Sequence, residues 1–312
     1  MRWVDVWAGE RGAEAKVVAL GNFDGVHVGH RRVLRAAVEV AQSLGTEAAV
    51  LVLHPHPRQV LRPETFPGLL TPLPERRRWL ARAGISLGLV LPFDRAVAER
   101  PAKWFVEEVL VGRIGARAVV VGENYRFGHG QEGDVAYLTA LGARLGVAVH
   151  ALPTETRGEL PVSASRIRQA LSAGDLDSVR RLLGRPYAVE GRVVAGDGRG
   201  RTLGFPTANL AVDPEWFLPR PGVYQVVVPG FGGAVANLGF RPTFGGGELR
   251  LEVHLLRPDV PSLYGRVLRV VFQRYLREEQ AFQDVASLVA AIRQDVRDAV
   301  ARPFIAGPED LW

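Results

Sequence analysis

The chain has 312 residues, enough for two domains with cores of their own, and its 47% hydrophobic and 23% charged content excludes a disordered or fibrous protein. Its net charge of +6 selects no ligand class, because all 39 basic residues except Lys16 and Lys103 are arginines, spread along the chain rather than gathered in the stripe a nucleic acid requires. With no cysteine, disulfides, thiol nucleophiles and thiolate zinc sites are excluded, so any metal is expected to be oxygen-ligated, as Mg²⁺ is.

Read in chain order, an apolar strand over 17–23 runs into a glycine-punctuated turn, VVALGNFDGVHVGH (17–30). Such a βα turn brings unpaired backbone N–H groups and the positive end of a helix dipole to one point, where an anion is held. Gly25 and Gly29 keep the backbone bare for close approach. With a helix starting near Val28, the i, i+3 spacing of His27 and His30 puts both imidazoles on one face of its first turn, able to donate to the same phosphate. The pattern H-x-G-H reads as a clamp on ATP.

Beyond this helix (29–43), the spacing predicts a strand at 47–53, a helix at 74–83, a strand at 87–91, a helix at 95–111, a strand at 117–121, a helix at 132–144 and a strand at 147–152. Strands alternating with helices imply a parallel α/β sheet. Two short helices, 164–172 and 175–183, are expected to close this first domain, 1–184. From Gly184-Arg185-Pro186 onward the pattern changes to β-like segments at 187–195, 222–228, 233–238, 248–256 and 266–274. A helix over about 284–301 follows, with Val285, Leu288, Val289, Ile292, Val296 and Val300 at helical spacing. This predicts an antiparallel barrel with a C-terminal helix over 185–312. In ELRLEVHLL (248–256), Leu249, Leu251, Val253 and Leu255 share one face and Arg250, Glu252 and His254 the other.

These segments carry motifs. GNFDGVHVGH closely resembles the first signature of the bacterial bifunctional riboflavin kinases and FMN adenylyltransferases, whose N-terminal module is a Rossmann-like H-x-G-H nucleotidyltransferase. The resemblance implies that Gly21, Asn22, Phe23, Asp24 and Gly29 bind nucleotide and that His27 and His30 act on its phosphates. HPHP (54–57) resembles the family's Pro-His-Pro loop, which places Pro55, His56 and Pro57 beside the flavin, although Leu53 and His54 stand where the family has an aromatic and an acidic residue. VGENYRFGHGQEGD (121–134) resembles the second signature, in which Asn124 and Phe127 face the flavin or nucleotide. VSASRIR (162–168) resembles a third, with Ser163, Ser165 and Arg166 on phosphate and Arg168 neutralising the departing pyrophosphate; Ala164 replaces one hydroxyl of the family's Ser-Ser-Thr.

The second half carries its own set. GDGRGRTLGFPTANL (196–210) resembles the flavokinase signature over its whole length. Its glycine-rich loop, with Gly198, Gly200, Arg201 and Gly204, can wrap a phosphate with backbone N–H groups, and Thr207 and Asn209 offer neutral oxygens to Mg²⁺. The resemblance makes Glu252 the general base for the ribityl 5′-hydroxyl and places Arg277 at the flavin phosphate. It therefore implies two reactions: riboflavin and ATP give FMN and ADP in the C-terminal domain, and FMN and ATP give FAD and pyrophosphate in the N-terminal domain.

Two other readings fit less of the chain. A class I aminoacyl-tRNA synthetase also carries an H-x-G-H-like motif but needs a lysine-rich second signature, which neither Lys16 nor Lys103 supplies. A regulatory flavin-binding protein would have an inactive transferase site, marked by Ala164. No apolar run approaches 18 residues and MRWVDVWAGERG lacks the apolar core of a signal peptide, so the expectation is a cytoplasmic enzyme of small-molecule substrates, without nucleic-acid or membrane partners. The sequence leaves a homo-oligomeric state open.

Overall fold

A computed structural model describes residues 1–8, 12, 14–196, 199–241 and 248–305. The chain divides into two compact units, Met1–Ala164 and Ser165–Trp312.

The first unit contains β1 (Arg2–Asp5), β2 (Lys16–Leu20), α1 (Val28–Leu44), β3 (Glu47–His54), α2 (Pro57–Leu61), α3 (Leu73–Arg82), β4 (Leu87–Pro92), α4 (Arg95–Ala98), α5 (Ala102–Trp104), β5 (Ala116–Gly122), α6 (Val135–Leu145) and β6 (Ala148–Leu152), followed by a hairpin of β7 (Thr156–Arg157) and β8 (Leu160–Pro161). Six strands form one parallel sheet in the order β1-β4-β3-β2-β5-β6. β2 lies at the centre because KVVAL offers apolar side chains to both faces, as a strand covered on both sides must. Val18 and Leu20 join the core beneath residues 105–114 and α6, while Val17 and Ala19 join the core beneath α1 and α3.

The helix expected over 95–111 is broken. Pro101 lacks an N–H and disfavours helical geometry at Arg100, so α4 stops at Ala98 and a new helix begins at Ala102, continuing through Phe105–Ile114 with wide π-type turns. Strand β1 was not legible: four residues at a sheet edge give too little periodicity. The structure explains its fit through Gly88, where a Cβ would lie 2.3 Å from the Trp3 ring.

The second unit begins with α7 (Ala164–Ala173) and α8 (Leu176–Leu183), then β9 (Ala188–Val194), α9 (Arg199–Thr202), β10 (Ala208–Val212), β11 (Gly222–Val228), β12 (Gly232–Arg241), β13 (Glu248–Leu255), β14 (Val267–Arg277) and α10 (Val285–Val300). The strands close an antiparallel barrel in the order β10-β13-β12-β11-β14-β9. Strand β10 is an addition to the sequence expectation, which named no strand between 195 and 222. Tyr224, Val226, Leu238, Leu251, Val253 and Phe272 are buried within the barrel unit, and Val223 and Val235 pack with Ala299 and Val296 of α10. The α10 stripe is narrower than its periodicity suggests: Val285 and Val300, at the helix ends, are exposed.

Helices α7 and α8, expected to close the first domain, cluster with the barrel instead. Leu176, Val179, Leu182 and Leu183 form one buried face of α8, which packs on β14, and the Arg220 N–H donates to the Leu171 carbonyl at 3.0 Å. Among the described residues no helix is long and apolar enough to cross a membrane.

Candidate functional sites

The sheet order fixes where a ligand can enter the first unit. From β2 the chain winds outward through β3 and β4, then returns to add β5 on the other side of β2, so the loops after β2 and β5 diverge from adjacent strand ends. Such a switch point leaves a crevice at the carboxyl edge of a parallel sheet. The H-x-G-H turn follows β2 and the GENYRF segment follows β5, so motifs about a hundred residues apart in sequence meet there.

The turn after β2 departs from ordinary backbone geometry. Phe23 and Val26 have φ of 50° and 39°, with Gly25 between them at 84°. Positive φ in a β-branched residue is costly and persists only where surrounding contacts enforce it. The enforcing contacts come from the segment before α3: the Gly25 N–H donates to Thr71 Oγ1 at 2.8 Å, and the Leu70 and Thr71 N–H groups donate to the Asp24 carboxylate at 3.2 and 3.0 Å. Asp24, expected to bind nucleotide, is 3% exposed and faces this segment. A carboxylate out of water needs such donors, which explains its direction.

His27 is the N-cap of α1. Its Nδ1 accepts from the His30 N–H at 3.3 Å, so in the neutral ring the proton sits on Nε2. The two imidazoles stack with centroids 3.6 Å apart and planes at 15°, as the spacing predicted, and the Phe23 ring meets His30 edge-on. Gly29 permits the arrangement: a Cβ there would lie 3.3 Å from the His27 ring and 3.5 Å from Glu155 Cβ. Basic side chains surround the start of the helix. Burial, then the charges of Arg35 and Arg157, push the Arg31 guanidinium below its ordinary value, while Arg32 and Arg157 pair with Glu155, the former at 2.6 Å. Crowded cations at a helix N-terminus are relieved by an anion. The sequence reading did not identify Thr71, Arg31 or Glu155; each reaches the turn from a segment without a motif, or from the helix interior.

Beside the turn lies a cavity of about 880 Å³. Its apolar wall includes Leu51, Leu53, Leu91, Phe93, Trp104 and Phe127, and its polar lining includes Asn22, Asn124, Arg58, Arg62, Arg100 and Arg126. Flat aromatic ligands bind in such a slot, with charges at its edge for an attached anion. Gly21 and Asn22, expected at the nucleotide, line it together with Pro57, Asn124 and Phe127, expected at the flavin, and the Asn124 amide is oriented by donating to Thr154 Oγ1 at 2.8 Å. Pro55 and His56 are not in its lining; His56 instead caps α2, accepting from the Arg58 N–H at 3.1 Å. Cation-rich edges escaped the sequence reading because the arginines are scattered along the chain.

The VSASRIR segment crosses the boundary between the units. Ser163 precedes α7, Ser165 is exposed in its first turn, and Arg166 and Arg168 lie on α7 with Arg168 stacked 5.8 Å over Phe217.

In the barrel unit strand register gathers the polar groups. Glu252 on β13 lies opposite Asn209 on β10 and Asn237 on β12, and Thr207 Oγ1 donates to Glu252 Oε2 at 3.4 Å. The predicted face of β13 is present: Leu251 and Val253 are buried while Glu252 and His254 turn the other way and stay half-buried. His254 Nδ1 meets the Pro206 carbonyl at 2.9 Å, anchoring the segment that carries Thr207. Glycines are required here by space: a Cβ on Gly196 would sit 2.1 Å from the Asn209 amide, and one on Gly200 2.4 Å from the Phe205 carbonyl. Gly204 adopts φ of 83°. Gly198 lies outside the described residues, as does the side chain of Arg201. A cavity of about 910 Å³ adjoins this cluster, lined by Thr207, His254, Leu256, Leu263, Tyr264 and Val296 among others.

Arg277, expected at a flavin phosphate, makes a two-pronged ion pair with Asp295 of α10, Nε and Nη2 each at 2.7 Å. This planar fork-to-carboxylate match ties β14 to α10.

Thr207 and Asn209 provide neutral oxygens close to a carboxylate, a donor set suited to Mg²⁺, which keeps several waters and relies on substrate phosphates for the rest. Among the described residues no group of three or more His, Cys, Asp and Glu side chains is arranged to hold a metal.

Comparisons with known proteins agree with both halves. Residues 10–166 match the FAD synthetase family and residues 183–302 the riboflavin kinase family. The bifunctional riboflavin kinase/FMN adenylyltransferase of Escherichia coli K12 is 39% identical over 296 residues, covering 93% of each chain. The proteins of the same name from Pseudomonas fluorescens and Bacillus subtilis are 40% and 32% identical over 294 and 300 residues, covering 93% and 91% of each chain. A crystal structure called a macrolide-efflux protein from Streptococcus pneumoniae shares the fold with a TM-score of 0.85 at 28% identity, over 96% of this chain and 99% of that one.

Proposed function

Because the chain belongs to the family of bifunctional riboflavin kinase/FMN adenylyltransferases, we propose that the two constellations described above divide its chemistry between the N-terminal and the C-terminal parts of the chain. The enzyme phosphorylates riboflavin to FMN with ATP in its C-terminal part and adenylylates FMN to FAD with ATP, releasing pyrophosphate, in its N-terminal part. The observation that carries the assignment of residues is convergence: motifs distant in sequence meet at one switch point in the first unit and at one strand register in the second.

In adenylyl transfer the terminal phosphate of FMN attacks the α-phosphorus of ATP in line, and pyrophosphate leaves. No protein nucleophile is needed; positioning and charge stabilisation suffice. The cavity of the first unit takes the isoalloxazine ring against Phe127 and Leu53, with arginines at its lining for the FMN phosphate. Nε2–H of His27, the His30 ring and the N-terminus of α1 face the ATP phosphates, where the negative charge of the leaving group accumulates. The roles of Ser163, Ser165, Arg166 and Arg168 on those phosphates rest on their motif.

For riboflavin phosphorylation, Glu252 accepts the proton of the ribityl 5′-hydroxyl as that oxygen attacks the γ-phosphorus of ATP and ADP leaves. Thr207, bonded to Glu252, sets the carboxylate beside the nucleotide, which occupies the adjoining cavity. Thr207 and Asn209 would hold Mg²⁺, which supplies positive charge at the phosphates when bound. Arg277 acts by holding α10 through Asp295. A cytoplasmic location fits two reactions that both consume ATP.

The test follows both reactions in the full chain by chromatography. Supplied with riboflavin, ATP and Mg²⁺ it forms FMN and then FAD. His30→Ala should stop at FMN, and Glu252→Gln should form FAD only from added FMN. A variant that loses both reactions together while remaining folded would contradict separate sites.

A further inference from the structure

We propose that Asp24, Thr71 and Arg76 form a buried brace that sets the phosphate-binding turn for adenylyl transfer, with Thr71 and Arg76 as positioning residues. The inference rests on reading the turn after β2 as the ATP phosphate site.

All three side chains are almost fully removed from water, at 3%, 3% and 2% exposure. The Thr71 hydroxyl donates to Asp24 Oδ1 at 3.4 Å while accepting from the Gly25 N–H at 2.8 Å, so it relays the carboxylate's charge to the turn backbone. Arg76 completes the set. Its Nε and Nη2 donate to the Thr71 carbonyl at 3.2 and 3.1 Å, its Nη1 donates to the Asn22 carbonyl at 2.9 Å, and its Nη2 lies 3.9 Å from Asp24.

The brace therefore grips the turn at Asn22 and Gly25, on either side of Phe23, whose φ is 50°. Asn22 lines the cavity assigned to flavin, and Gly25 leads directly into His27. Backbone at positive φ relaxes when its enforcing contacts are removed. Relaxation here moves the His27 cap relative to the flavin cavity, so in-line geometry between the two substrates is lost. A buried ion pair of this kind is a poor source of stability, which makes geometry the better reason for its presence.

The test uses Thr71→Val, Thr71→Ser and Arg76→Lys in the full chain. Valine keeps the shape and removes the relay; serine keeps the relay; lysine keeps the charge but cannot grip both carbonyls with a fork. Thr71→Val and Arg76→Lys should lower kcat for FAD formation by about 10- to 100-fold, the scale of a small misplacement of reacting groups, with KM for FMN within roughly twofold. Thr71→Ser should recover most of kcat, and FMN formation should be unchanged in all three.

A wild-type kcat in both Thr71→Val and Arg76→Lys would overturn the brace, as would a loss that serine fails to restore or one accompanied by an equal rise in KM for FMN. If Thr71→Val does not fold, Arg76→Lys and Thr71→Ser decide the matter alone. His30→Ala separates the two levels: if it leaves FAD formation intact the site itself is misassigned, whereas a large loss in His30→Ala with none in Arg76→Lys removes only the brace.

Discussion

The two units place polar groups by different physical means. In the first, the working turn lies outside regular structure, contains positive φ at Phe23 and Val26, and depends on buried side chains from a segment some forty-six residues away. In the barrel, Asn209, Glu252 and Asn237 stand side by side because antiparallel register puts them there, with backbone ladders already satisfied. A loop site needs dedicated support; a strand site inherits it. Damage should accordingly spread differently, through distant braces in the first unit and through local strand contacts in the second.

The largest effect expected concerns what belongs to the barrel. A fragment beginning at Ser165 keeps α8, whose Leu176, Val179, Leu182 and Leu183 are buried, whereas one beginning at Arg185 discards them at roughly 1.5 to 3 kcal/mol each. Urea unfolding of the two should differ by several kcal/mol, and riboflavin phosphorylation should survive in the longer fragment. Equal midpoints would return α7 and α8 to the first unit.

Next in size is Glu252→Gln, which keeps the strand contacts and removes the proton acceptor. Riboflavin phosphorylation should fall by about 10² to 10⁴, the worth of a general base, with conversion of added FMN untouched. Wild-type turnover under chemistry-limited conditions would leave the register argument without a catalytic base. His30→Ala should cost FAD formation about 10² to 10³, the scale of one lost transition-state donor, with FMN formation near normal. Measuring both reactions in each variant sharpens the contrast, since cross-effects would mean that the units do not act separately.

The smallest expected effect is electrostatic. Hydrogen bonding from Arg32, with lesser contributions from the charges of Arg157 and Arg32, holds the Glu155 carboxyl below its ordinary 4.5. A lowered carboxylate pKa stabilises the fold above the unfolded value and loses that contribution as pH falls through the folded one. Thermal unfolding of Glu155→Gln should thus be less sensitive to acid below pH 4.5 than the wild type, and the difference should shrink with salt. An unchanged acid limb would remove Glu155 from the support of the turn.

The sequence by itself determined the alternation that builds the sheet, the change of pattern that announces the barrel, the shared face of His27 and His30, and the outward phase of Glu252. Each is a local property: periodicity, glycine placement and i, i+3 or i, i+2 spacing fix which side chains share a face before any tertiary contact forms. Tertiary structure alone decided the rest. Asp24 turned inward because donors from residues 70 and 71 surround it, Arg277 took Asp295 as its partner, α8 chose the barrel, and four scattered arginines came to line one cavity. Those outcomes depend on partners dozens of residues away, whose meeting is set by strand order and packing, and no local pattern in the chain records them.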